Sequence, residues 1–107
     1  MDERTNTMNR TLNLIGIGKC DAHAAASIKV GDHLMWNYGY ITRVVDVQPK
    51  GNSMITVTEV SLGWQGKDEA TTTTTRDMTR ARSVVKVVKV SEPWARWSVQ
   101  ETFAENA

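Results

Sequence analysis

The sequence predicts a mainly β domain, and three observations carry that prediction. The run Ile28-Lys29-Val30-Gly31-Asp32 reads as a turn that feeds a strand, and Trp36-Asn37-Tyr38-Gly39 as the turn that ends it. Short runs dominated by β-branched residues recur at residues 41–47, 54–60 and 84–90, and such side chains suit a pleated, half-buried surface. The two prolines, Pro49 and Pro93, each fall where a strand reading ends. At 107 residues, 40% of them hydrophobic and 23% charged, the chain has room for one packed domain and enough apolar material to fold.

Taken in order, residues 1–11 are polar and predict a flexible N-terminus. Residues 12–17 form a short apolar run beside Gly16 and Gly18, an edge strand. Asp21 stands where it can cap the alanine-rich residues 22–27 as a short N-terminal helix, its carboxylate accepting the orphan amide protons of the first turn. A helix of about two turns depends on tertiary packing. Gly31 can take the positive φ of a tight turn, and Asp32 can hydrogen-bond the backbone just beyond it. With Trp36, Asn37 and Gly39 these make the structural turn set. Leu34 and Trp36 share one face of a strand over 33–38, and Trp36 is expected in the core.

Residues 40–48 complete a hairpin, closed at its far end by residues 48–53. In residues 54–60, Ile55 and Val57 occupy one face and Thr56 and Thr58 the other. The looser residues 62–68 lead to five threonines at 71–75, an edge strand or a loop flank. Residues 76–82 predict a single helical turn before the last strand, 84–90. Five short strands with one helical turn before the last resemble an SH3-like barrel, whose closure removes open edges. The domain spans 12–90, and 91–107 is a tryptophan-containing tail.

Two regions depart from alternation. Val44-Val45 and Val84-Val85/Val87-Val88 are apolar on both faces, which calls for a bulge, a strand covered on both sides, or an interface. An interface is expected for at least one. In the tail, Ser91 as N-cap with Pro93 in the first turn would begin a C-terminal helix with Trp94 and Trp97 adjacent. An extended chain would put those two rings on opposite faces, and the residues leave both readings open.

The chemistry-bearing residues are sparse. One cysteine excludes an internal disulfide and fits a reducing compartment, and no apolar leader or membrane-length run is visible, so a cytoplasmic location is expected. Cys20 and His23 could present two ligands to zinc with His33 as a third and Asp32 nearby, but no second paired motif accompanies them, and no metal is assigned. Cys20 with His23 lacks an elbow and an orienting acid for nucleophilic catalysis. Asp32 and Asp46 have simpler places, one in a turn and one ending a strand. Gly16-Ile17-Gly18 lacks the third glycine of a dinucleotide loop. No catalytic residue and no cofactor follow, and the expectation is a protein that is not an enzyme.

Charge and aromatics are more informative. The net charge of +1 is too small to argue for nucleic acid. Yet Arg76, Arg80, Arg82, Lys86, Lys89 and Arg96 crowd residues 76–96, where the acids are Asp77 and Glu92, a local +4. Such a stripe beside Trp94 and Trp97 would suit a phosphate-tracking, base-stacking surface. It would equally suit a solvated face with lysines guarding a valine-rich edge. Tyr38, Tyr40 and Trp64 gather near one hairpin, and Trp64 is the better candidate for an exposed anchor.

The Val30-Gly31-Asp32 turn, Trp36-Asn37-Tyr38-Gly39, Val44, Val47, Ile55-Thr56-Val57 and the basic approach to Val84-Val85 resemble a group of small uncharacterised proteins of phages and mobile elements in Gram-positive bacteria. The resemblance covers roughly residues 25–90 and departs at the threonine run and the tail. It implies a phage or mobile-element setting in a bacterial host rather than a particular chemistry. Together these features lead to a non-enzymatic binding module acting on a host protein or on its own copies as a homo-oligomer. The alternatives are nucleic-acid binding through the basic stripe and nucleotide capture as an anti-defence protein.

Overall fold

Nine strands are present among the residues that the computed structural model describes, 10–68, 72–91 and 96–100. β1 (Thr11–Leu14) and β2 (Gly18–Asp21) make a separate hairpin. β3 (His23–Ala24), β4 (His33–Met35), β5 (Tyr40–Lys50), β6 (Met54–Trp64), β7 (Thr73–Thr79), β8 (Ser83–Ser91) and β9 (Arg96–Val99) make one antiparallel sheet. Its order is β3-β8-β4-β5-β6-β7, with β9 also paired to β8. The path is open, with β7 at one end and β3 and β9 at the other. The mainly β class stands, whereas the five-stranded closed barrel gives way to this open sheet.

The expected helices are absent for physical reasons. Residues 22–27 run as β3 and a 3-10 turn, Ala25–Ser27, and Asp21 belongs to β2 rather than to a cap. Ala22, His23 and Ala25 are fully buried, and partners far along the chain take the backbone donors. Ala22 N–H donates to Arg10 (2.8 Å), Ala25 N–H to Arg82 (2.7 Å) and Ala26 N–H to Arg80 (3.0 Å). These bonds outcompete a helix too short to stand alone. Residues 76–79 belong to β7, where Arg76 lies opposite Val57 in the ladder, instead of starting a helical turn. In the tail, Ser91 ends β8 and residues 96–99 are extended against it, so the helix is overturned there; Pro93 and Trp94 lie outside the described residues.

Three strand boundaries also shift. Residues 12–17 are not one strand, because Ile15-Gly16-Ile17 is the turn of the β1–β2 hairpin. Pro49 lies inside β5, opposite Ile55. β4 covers the other side of β5 only as far as Arg43, so the proline sits where that edge has no neighbouring strand. At the N-terminus, Arg10 and Thr11 are ordered parts of the fold. The guanidinium of Arg10 donates to Ala81 O (2.7 Å) and Thr11 starts β1, while residues 1–9 lie outside the described residues.

Two cores lie on opposite faces of the sheet. One holds Leu34, Val44, Ile55, Val57, Met78 and Val84, sealed by Ala25 and Ile28. The other holds Ile41, Leu62, Val85 and Val87 and is covered by Leu14 and Cys20 of the β1–β2 hairpin. The double valines follow from this arrangement. Val84 points into the first core and Val85 into the second, so β8 is covered on both sides, although Val88 remains exposed. The register between β5 and β6 slips between Val44 and Asp46, making Val45 an exposed bulge residue. The extra residue lets Val44 and Val47 face the same core. A second slip, opposite Ile41, is formed by Leu62 and Gly63, and Gly63 takes φ +78°.

Candidate binding surface

The Trp36–Gly39 turn joins three segments. Tyr38 takes φ 67° and Gly39 φ 87°, left-handed conformations that bring the chain sharply round into β5. Asn37 Oδ1 accepts from Ile15 N–H (2.9 Å), and Tyr38 N–H donates to Ile15 O (2.7 Å). On the other side Trp64 Nε1–H donates to Tyr38 O (2.8 Å) and Gln65 N–H to Gly39 O (2.8 Å). A Cβ on Gly16 would come within 2.9 Å of the Tyr38 ring, so that ring lies directly over the hairpin turn. The turn's sequence is therefore a structural device, and four hydrogen-bonding atoms of Asn37, Tyr38 and Gly39 do the joining.

The device brings Ile15, Ile17, Tyr38, Tyr40 and Trp64 to one end of the molecule, each between 45% and 56% exposed. Tyr40 and Trp64 are cross-strand neighbours, and Lys67 Nζ lies 5.4 Å from the Trp64 ring. Tyr38, Tyr40 and Trp64 thus come together as the spacing suggests. Ile15 and Ile17 were not singled out in the sequence, where residues 12–17 read as one short apolar strand. Trp97 stands apart. It packs on the second core, its ring 5.1 Å from that of His33, and Nε1–H donates to Gln65 O (2.7 Å), which holds the loop after β6. Trp94 lies outside the described residues.

Beside the patch, Trp36 is the centre of a polar cluster. It packs on the first core, and its Nε1–H donates to Thr42 Oγ1 (2.9 Å), which donates in turn to Glu59 Oε1. Glu59 Oε2 lies 2.6 Å from Arg76 Nε, close enough for an ion pair although the N–H is poorly aligned with the oxygen. The Arg76 guanidinium stacks 4.3 Å from the Trp36 ring centroid and that of Arg82 lies 5.6 Å away. Sequence reading missed this cluster because Glu59 follows Ile55 and Val57 on an otherwise apolar face.

The basic stripe does not survive as a stripe. Arg80 and Arg82 lie in the β7–β8 turn, where Arg80 N–H donates to Ser53 O (2.9 Å), whereas Arg76 lies within β7 opposite Val57. Lys86 is buried, its Nζ bonded to Ser27 O (2.8 Å) and 3.2 Å from Asp32 Oδ2. Lys89 lies on the far half of β8 opposite Trp97, and Arg96 heads β9. Gly31 does take a positive φ (98°), but Asp32 bonds backward rather than forward: its Oδ2 accepts from Lys29 N–H (2.8 Å). Asp32 therefore closes the turn and neutralises Lys86 together.

The candidate metal ligands are dispersed. Cys20 is buried in the second core, and burial with the nearby Asp21 charge pushes its thiol up. His23 Nε2–H donates to Gln100 O (2.9 Å) on the sheet edge, and burial holds its imidazole below the ordinary range. His33 is lowered too, by burial and then by Arg43. Among the described residues no three His, Cys, Asp or Glu side chains are grouped to hold an ion, and no helix is long and apolar enough to cross a membrane. No protein-family model, curated protein or solved structure matches the chain.

Proposed function

We propose that this chain is a non-enzymatic binding module that docks a protein through the Ile15, Ile17, Tyr38, Tyr40 and Trp64 patch. In the phage or mobile-element setting implied by the resemblance, the partner is a host protein or a second copy of the chain. The single observation that carries this reading is the construction of the patch. Five large apolar side chains are each about half exposed, and hydrogen bonds fix the segments that carry them: Tyr38 N–H donates to Ile15 O, Trp64 Nε1–H donates to Tyr38 O, and Tyr40 and Trp64 pair across the ladder. Rigid aromatic side chains lose little conformational entropy on docking, and truncating such anchors at interfaces commonly costs about 2 kcal/mol or more.

Native mass spectrometry of the untagged protein is expected to give a multimer or a defined complex that both Trp64→Ser and Ile17→Ser dissolve, with circular dichroism unchanged. A monomer for all three proteins, with no partner retained by wild type and lost by the variants, overturns the reading. Nucleic-acid binding through residues 76–96 has less support, because Lys86 is buried, Arg76 faces Glu59, and the remaining cations lie towards opposite ends of β8. That alternative requires affinity falling steeply with salt.

A further inference from the structure

A second recognition element adjoins the patch and shares Ile15 and Tyr40 with it. β4 leaves β8 after Met35, opposite Val85, while β8 continues back to Ser83. The divergence leaves a cavity of about 540 Å³ between β1, the Trp36 turn and the β7–β8 turn. That volume falls in the range of small-molecule sites, which are mostly apolar with a few placed polar groups. Its apolar lining includes Leu14, Met35, Val84 and Val85, and Trp36, Tyr40, Arg76 and Arg82 also border it. Two lining residues are cationic and none is acidic.

The two arginines are not equivalent. Arg76 is answered by Glu59, which does not line the cavity. Arg82 is exposed and has no carboxylate partner among the described residues, and its guanidinium lies 5.6 Å from the Trp36 ring. We propose that the cavity binds an organic anion, its apolar body inside and its carboxylate or phosphate on the Arg82 guanidinium. A neutral apolar ligand would cover this cation without pairing it, and a bare inorganic anion would leave the apolar lining wet. Guanidinium presents paired donors that match the oxygens of either acid group. The assignment goes beyond protein docking and does not depend on it.

The test is amide and indole NMR of the intact chain titrated with N-acetylphenylalanine, phenyl phosphate, neutral N-acetylphenylalaninamide and sodium acetate. Saturable shifts of the Trp36 indole N–H are expected with the first two, in about the millimolar range for ligands of this size. The amide should bind at least about tenfold more weakly, since it lacks the charge-assisted bond. The ratio between the two acids assigns carboxylate or phosphate as the preferred group. Arg82→Gln is expected to abolish the difference between acid and amide, and Arg82→Lys to keep part of it. Equal binding of acid and amide by wild type overturns the proposal without any variant. So does unchanged selectivity in Arg82→Gln, or no saturable shift with either acid. Ile17 does not line the cavity, so Ile17→Ser should leave anion binding intact while dissolving the docked complex, which distinguishes the two activities although the surfaces meet at Ile15 and Tyr40.

Discussion

Replacing Arg76 should cost more than replacing Glu59, although the two residues share one ion pair. The Glu59 side chain is 0% exposed and that of Arg76 is 35% exposed. In Arg76→Met the aliphatic stem still covers Trp36, but Glu59 is left as a buried carboxylate supported only by Thr42 among the described contacts. Removing one partner of a buried pair typically costs about 3 kcal/mol or more. In Glu59→Gln nothing buried carries an uncompensated charge, and Arg76 can turn its guanidinium further into water. Screening there limits the loss to about 1 kcal/mol. The double variant leaves no buried charge unpaired and should lose about 2–3 kcal/mol, less than the two single losses together, giving a coupling of about 1–2 kcal/mol. Urea unfolding followed by tryptophan fluorescence measures all three. An Arg76→Met loss no larger than that of Glu59→Gln, or additivity within about 0.5 kcal/mol, would refute the account of the cluster.

Two further outcomes follow from the sheet and its edges. Deleting Val45 leaves Val44, Asp46 and Val47 in an unbroken ladder with Val44 and Val47 still on one face, so it should cost no more than about 1 kcal/mol, whereas inserting an alanine between Asp46 and Val47 turns Val47 out of the first core and should cost more than about 2 kcal/mol; equal urea midpoints for the two would remove the bulge's assigned role. Burial holds His23 and His33 below the ordinary histidine range, so the unfolded chain takes up more protons as pH falls below about 6.5. Stability should therefore be flat from pH 8 to 7 and decline towards pH 5.5, by at most about 1.4 kcal/mol per pH unit for each extra proton bound by the unfolded chain. A midpoint that rises on acidification contradicts this.

What the sequence disclosed was local. The Trp36–Gly39 turn, the alternation of Ile55 and Val57, and the β-branched run that forms β8 are all written within a few residues of themselves. The clustering of Tyr38, Tyr40 and Trp64 was legible because a hairpin turn brings near neighbours together. What stayed hidden depends on partners far apart in sequence. Residues 22–27 carry helical composition, yet Arg80 and Arg82 supply the acceptors that keep Ala25 and Ala26 out of a helix. The basic residues from 76 to 96 look continuous, but strand alternation and a turn send Lys86 inward and separate Arg82 from Lys89. Glu59 is invisible as a site residue until Arg76 is placed on the neighbouring strand.

β8 has a consequence for the order in which this chain can acquire structure. It supplies Val84 to one core and Val85 and Val87 to the other, and it pairs with β3, β4 and β9. Until residues 83–91 have left the ribosome, the hairpins from β4 to β7 can pair, but neither core can be completed. The β1–β2 hairpin has no Val85 or Val87 to cover, and the edge that β3 needs does not exist. Contacts of such long sequence separation form slowly. Both apolar faces therefore stay uncovered until β8 has emerged, some fifty residues after β4.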